Sequence, residues 1–245
     1  MTDASVALSP ERGIVVYSCY FGKYEPLNLT SMGDGEGYDR VIFTDDPDLV
    51  YPGVKVVTLE EPALDALYLS RKPKLKPHLY FQEYEWAIYV DNRANLTTSP
   101  SQIIAEIVDS QGGDAPSGRY LFKHPDRNCV YRESKVCRRM GTISEEEFDR
   151  LNQCFARIGI PKGAGLFVNT MMVQKMGSAH ADLLNDRWYE AFLHYCKRDQ
   201  VTLGMLAWLH PEGTRVLPMQ SITFMDWPVF SFKDRRRFRR HGTVS

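Results

Sequence analysis

Trp86-Ala87-Ile88-Tyr89-Val90, halted by Asp91-Asn92-Arg93, decides how this chain folds. A strand with one wet face alternates polar and apolar residues. This one is apolar on both faces, so its sheet is expected to be covered on both sides by helices, as in parallel or mixed α/β folds. Toward the N-terminus, 13–18 (with Ile14-Val15-Val16-Tyr17 at its centre), Val41-Ile42-Phe43-Thr44 and 54–59 read as further strands. Toward the C-terminus, Ser99-Pro100 opens a helix whose Ile103, Ile104, Ile107 and Val108 recur at helical spacing. Ser144 and Glu147 form a capping box for a helix that Gly159 ends. Two more helices are expected at 179–197 and 201–209, with strands at 119–123, 165–169 and 171–174. There is no internal repeat or low-complexity linker, so the chain divides into a leader (1–12), one domain (13–230) and a basic, flexible tail (231–245).

The 245 residues are 43% hydrophobic and 25% charged, which excludes a disordered or collagenous chain. No apolar run approaches the roughly eighteen residues of a spanning helix, and the start lacks the pattern of an export signal. A soluble, cytoplasmic protein is expected. The formal charge of -1 gives the body no general pull on nucleic acid. The tail differs: 233–240 holds six cations against Asp234, a composition that can grip RNA, DNA or an anionic membrane surface and offers a binding protein as the alternative function, with peripheral contact to an anionic surface favoured over nucleic acid as partner. The five cysteines form no C-x-x-C pair, consistent with reduced thiols.

Ligands of open α/β sheets collect at the carboxyl edge of the strands, where Asp91 sits. Asp91 is therefore a candidate binding acid; the alternative is a turn cap, shared with Asn92 and Asn95. Upstream, 70–78 gathers four cations and His78, with Arg71 and Lys74 three apart and able to face one anion from a helix. The alternative is a solvated basic turn, although Pro73 and Pro77 stiffen the segment. At the end of the strand 119–123, His124 is a candidate metal or phosphate ligand, or a histidine satisfied within a tight turn. Cys129 is not read as its nucleophilic partner, because no group to orient the histidine is visible. Arg198-Asp199-Gln200 opens a helix, where Asp199 is favoured by the helix dipole whatever its function.

The order of Val16-Tyr17-Ser18-Cys19-Tyr20-Phe21-Gly22-Lys23-Tyr24, Arg71-x-x-Lys74-x-x-Pro77-His78, Ile88-Tyr89-Val90-Asp91, His124-Pro125-x-Arg127-x-Cys129 and Arg198-Asp199-Gln200 resembles a glycosyltransferase-like family. That family was once classed as a domain of unknown function, and its plant members are associated with pollen-sac opening and seed-mucilage pectin. The resemblance runs over residues 14–210. It implies a GT-A Rossmann-like α/β/α sandwich with a mostly parallel central sheet. It also implies transfer of a hexose from a nucleotide-diphosphate sugar to a glycan or lipid-linked acceptor. A nucleotide-sugar hydrolase or a nucleotidyltransferase would share that architecture.

The resemblance also suggests roles. Tyr17, Phe21 and Asp45 would lie near the nucleoside, and Arg71 and Lys74 would reach the diphosphate. Asp91 would be the first acid of an Asp-x-Asp motif, continued by Asn92 and Arg93 on the donor side. His124, Arg127, Arg198 and Gln200 would line the acceptor or phosphate side, and Asp199, with Asp91, would be catalytic. One departure concerns the metal, since Arg93 stands where the second acid of the motif binds Mn²⁺ or Mg²⁺. A metal would then fall to Asp91 and His124. In its absence Arg71, Lys74 and Arg93 would meet the charge of the leaving diphosphate.

Overall fold

The computed structural model describes residues 8–9 and 12–241. The central sheet contains β1 (Ile14–Tyr20), β2 (Asp39–Thr44), β3 (Lys55–Thr58), β4 (Trp86–Val90), β6 (Gly118–Phe122), β7 (Met171–Lys175) and β8 (Thr214–Leu217). Their order is β3-β2-β1-β4-β7-β6-β8. Only β7 runs antiparallel to its neighbours, β4 and β6. A separate ribbon joins β5 (Asn95–Leu96) to β9 (Met225–Asp226).

The described residues also form seven α-helices: α1 (Ala66–Leu75), α2 (Pro100–Ser110), α3 (Val130–Arg139), α4 (Glu145–Ile158), α5 (Ala179–His194), α6 (Asp199–Leu209) and α7 (Phe232–His241). Successive strand residues face opposite ways. Val15, Tyr17, Ala87 and Tyr89 therefore enter one apolar cluster with residues of α1 and α3–α6, such as Leu75, Phe155 and Trp188. Val16, Ile88 and Val90 enter the other with Ile103 and Ile107 of α2 and with Phe224. Both faces of β4 are covered, as its unbroken apolar run requires. The capping box at Ser144 forms, Ser99 caps α2 and closes a box of its own with Gln102, and Gly159 ends α4 in the left-handed region (φ +68°).

Several boundaries depart from the sequence reading. The strand expected at 165–169 is absent; that segment makes a single bridge, Lys123 to Phe167, because Gly165 (φ +124°) takes the backbone out of extended geometry. α5 stops at His194 and α6 begins at Asp199 rather than 201. Within the segment read as the basic tail, Phe232–His241 is helical. Its start is fixed by reciprocal bonds: the Ser231 N–H donates to Asp234 Oδ2, and the Asp234 N–H donates to Ser231 Oγ. Most of the 1–12 leader and residues 242–245 lie outside the described residues. No helix among the described residues is long and apolar enough to cross a membrane.

Candidate functional site

The strand order reverses beside β1: β2 and β3 extend to one side of it, β4 and the rest to the other. Such a switch point leaves a crevice beyond the carboxyl ends of the two central strands. β1 and β4 pair in parallel through Tyr17 and Tyr89, which brings Cys19 and Asp91 to that crevice two residues further along each chain. Alternation puts Asp91 on the same face as Tyr89, the face covered by α1. A cleft of about 210 Å³ opens there, with Phe21, Glu25, Arg71, Asp91, Asn92 and Arg93 among its walls.

The loop after β1 is tightly tied. Gly22 (φ +68°) and Lys23 (φ +47°) both adopt left-handed backbone. A side chain at Gly22 would also meet the Tyr24 ring at 2.5 Å. Both Asp45 carboxylate oxygens accept from the Gly22 N–H at 3.0 Å, and Lys23 Nζ pairs with Asp46 at 2.9 Å. Asp45 therefore shapes the loop from outside the cleft, where a donor-side contact was expected. Tyr17 is also displaced from its expected place: it is buried in the core, its hydroxyl donating to the Lys74 carbonyl. An inward-facing position in the middle of a central strand leaves it no route to a ligand.

Asn92 is structural as well as site-lining. Its Oδ1 accepts from the Asn28 N–H at 2.9 Å, and its Nδ2 donates to Glu25 Oε1 at 3.0 Å and to the Pro26 carbonyl at 2.8 Å. These bonds fix Glu25 as a wall of the cleft. Glu25 was not anticipated from the sequence; it follows a loop whose course depends on the distant Asn92. Burial raises the Glu25 carboxyl above its ordinary value, against the Asn92 hydrogen bond, and the neighbouring Asp91 adds to the rise. Asp91 Oδ1 accepts from the Arg93 N–H at 3.1 Å, so the turn-capping role coexists with exposure to the cleft. Burial pushes the Cys19 thiol up to about 12 despite Lys74 and Arg71, which leaves it protonated and unreactive.

Arg71 and Lys74 share a face of α1, as their spacing of three requires, and both reach Asp199 Oδ2, at 3.2 Å and 3.0 Å. Lys74 is buried there over the Tyr89 ring, while Arg71 also lines the cleft. Burial alone would raise the Asp199 carboxyl, but Lys74, Arg71 and Arg198 outweigh it and hold the group well below the usual carboxylate range. Asp199 lines none of the cavities described here. Buried and doubly paired, Asp199 holds Arg71 and Lys74 in place on α1.

A second cavity of about 560 Å³ lies on the other side of Asp91, with Lys123, His124, Arg127, Arg198, Gln200 and Trp227 on its walls. Two contacts beside the β4 turn link the walls of the two hollows. The Asp91 N–H donates to the carbonyl of Thr170, a residue of the second cavity, and the Arg93 guanidinium stacks over Trp227 at 5.6 Å. Arg127 pairs with buried Glu133 at 2.7 Å, and Gln200 Nε2 donates to the Phe167 carbonyl at 2.8 Å. The structure thus brings together His124, Arg127, Arg198 and Gln200, and separately Phe21, Arg71, Asp91, Asn92 and Arg93.

The residues present do not fit a Mn²⁺ or Mg²⁺ ion held by Asp91 and His124. His124 lies in the second cavity, and its Nδ1 accepts from the Asp126 and Arg127 N–H groups at 3.1 and 3.2 Å. Burial, aided by Arg127, lowers its pKa. Among the described residues, no cluster of three or more His, Cys, Asp or Glu side chains is placed to share an ion. Hard divalent ions need several oxygen ligands; beside Asp91 the motif offers the cation Arg93.

No family model and no curated protein matches the sequence. The fold is similar to that of the apo bifunctional glycosyltransferase WbbM, with a TM-score of 0.54 and 12% identity over 93% of this chain. The chain spans 44% of the WbbM chain. Mouse xyloside xylosyltransferase 1 in its apo form gives a TM-score of 0.46 at 12% identity, over 82% of this chain and 84% of that one. The galactosyltransferase LgtC, solved with donor and acceptor sugar analogues, gives 0.44 at 10% identity, over 82% and 72%. Seven strands in this order, helices on both faces and the WbbM likeness make the fold a GT-A Rossmann-like α/β/α sandwich.

Proposed function

We propose that this chain is a glycosyltransferase that moves a hexose from a nucleotide-diphosphate sugar to a hydroxyl of a glycan or lipid-linked acceptor. The observation that carries this reading is the Asp91–Arg93 turn, which stands at the switch point between two cavities. In this reading the donor occupies the β1 side, with its diphosphate on Arg71 and Arg93, and the acceptor enters from the Trp227 side. The resemblance to the plant glycosyltransferase-like family and the WbbM likeness agree with it.

Transfer breaks the bond from the anomeric carbon to the diphosphate oxygen and joins that carbon to the acceptor oxygen. The acceptor proton passes to a carboxylate or to the departing diphosphate. Negative charge grows on the leaving group, and fixed guanidinium groups in a partly dry cleft stabilise it with little reorganisation. Asp91, oriented by the Arg93 N–H, faces the positive charge that develops on the sugar. Five free cysteines suit a cytoplasmic reaction.

Thermal-shift screening of UDP-, GDP-, CMP- and dTDP-hexoses tests this, because a specific ligand raises the melting temperature by mass action. One nucleotide class should stabilise the wild type and fail to stabilise Arg71→Ala. A glycosylated acceptor should then appear on incubation. Free sugar alone would indicate hydrolysis, and no response to any nucleotide sugar would overturn the reading.

A further inference from the structure

The helix α7, Phe232–His241, carries Lys233, Arg235, Arg236, Arg237 and Arg239 against the lone acid Asp234. Its path along the molecule is specific. β9 pairs with β5, the ribbon strand that follows the Asp91–Arg93 turn. Trp227 then lies under Arg93, and the Val229 N–H donates to the Arg93 carbonyl at 3.0 Å. From there α7 runs to the opposite rim of the donor cleft, where Arg239 Nε donates to the carbonyl of Tyr24 at 3.2 Å; Tyr24 is itself a wall of that cleft.

Arg235 and Arg239 are four apart and share a helix face, so the contact at Tyr24 turns Arg235 toward the same rim. Its Nε is shielded from solvent and has no hydrogen-bond partner. Arg235 interacts electrostatically with Arg93, Glu25 and Asp91, all cleft residues. Among the described residues it enters no salt bridge. Arg71 is paired with Asp199 and Arg93 faces Glu25 at 3.9 Å, whereas Arg235 is repelled by Arg93 and has no carboxylate of its own, so it is the guanidinium left to receive an anion.

We propose that Arg235 is a third guanidinium of the diphosphate clamp, and that α7 forms the outer wall of the donor site. This rests on the nucleotide-sugar reading above. The chain's C-terminal charge then has a local use, in place of the general anionic-surface contact that composition alone suggested.

Isothermal titration of the full chain with inorganic pyrophosphate and with UDP tests it without knowledge of the sugar. Arg235→Ala should weaken pyrophosphate binding on the order of tenfold, the scale of one charge-assisted contact. Arg235→Lys should recover part of the loss. Arg237→Ala, exposed on the other side of the helix, should stay within about twofold of wild type. Pyrophosphate should also protect α7 of the wild type from trypsin, a measurement that needs no variant. Wild-type affinity in Arg235→Ala, or no protection from trypsin, overturns the proposal; if Arg71→Ala still weakens binding, the donor reading survives. Failure of the wild type to bind pyrophosphate or any nucleoside diphosphate sinks both. Binding of α7 to anionic vesicles that pyrophosphate does not compete away also overturns the proposal.

Discussion

Lys74 Nζ lies 3.0 Å from Asp199 Oδ2, and each side chain is only 5% exposed. This pair joins α1 to the first turn of α6, with Arg71 as a third member that reaches into the cleft. Breaking a buried pair by removing one partner costs about 3–5 kcal/mol, because the other charge stays buried. Asp199→Asn strands two cations, whereas Lys74→Met leaves Asp199 still paired with Arg71. Chemical denaturation should therefore show a loss of about 3–5 kcal/mol for Asp199→Asn and roughly half that for Lys74→Met. Pyrophosphate affinity should fall in Asp199→Asn, since Arg71 loses its orienting partner. Equal losses from the two variants would mean that the aspartate is not the hub.

The same pair sets an acid limit on stability. The Asp199 pKa is lower in the folded state than the usual carboxylate value near 3.9 of an unfolded chain. The folded state thus holds its proton less tightly, so the contribution is complete above about pH 4 and is lost as the pH falls toward the folded value. Stability measured by denaturant midpoint should decline below about pH 4 in the wild type. In Asp199→Asn that component of the decline should be missing. Parallel pH profiles for the two proteins would remove Asp199 as its source.

Much of the sheet is legible in the chain because strand residues such as Val15, Val16, Ile88 and Val90 are buried on both faces and leave continuous apolar runs. The capped helices at Ser99 and Ser144 are legible for a local reason, since each box is closed within four residues. The first turn of α3 offers no such mark: its N-cap, Cys129, makes no side-chain capping bond. α1 carries Pro73 in its interior, which a periodicity argument reads as a break.

Site residues divide in the same way. Asp91 and Arg71 are marked by a strand end and a charge cluster, whereas Glu25 is placed by Asn92, far along the chain. Arg119 was read only as part of a strand. It is 1% exposed, stacks on Trp188 and donates to Asn185 and to the Leu75 carbonyl at the end of α1. Burial lowers its pKa to about 10. No local pattern announces a buried arginine whose partners come from three other elements, α1, β7 and α5.

Glu25 gives a prediction with a definite sign. Its pKa is raised by burial, and its ionised form sets a negative charge beside Asp91 at the cleft where the diphosphate is placed. Glu25→Gln removes that charge and keeps the size and the Asn92 contact region. Pyrophosphate should bind several-fold more tightly to Glu25→Gln at pH 7.5, by titration calorimetry. Wild type and variant should converge as the pH falls below the raised pKa and the wild-type carboxyl takes up its proton. Weaker binding in Glu25→Gln at both pH values would mean that Glu25 positions Arg93, its neighbour at 3.9 Å, more than it opposes the anion.

Arg93 determines the expected response to metal. A guanidinium occupies the position of a second acid, His124 faces the other cavity, and Glu25 is engaged by Asn92. Charge on a diphosphate can be met by a divalent ion or by fixed cations, and the residues here supply the second. Pyrophosphate affinity in EDTA should match that in Mn²⁺ within about twofold, allowing for the binding of Mn²⁺ by free pyrophosphate. Arg93→Asp, which restores an acid at that position, should weaken binding in EDTA and make it responsive to Mn²⁺, since hard ions prefer clustered oxygen ligands. A wild type that binds only with Mn²⁺ present would show that Asp91 recruits an ion with the ligand's own oxygens, and the guanidinium clamp would lose its reason to exist.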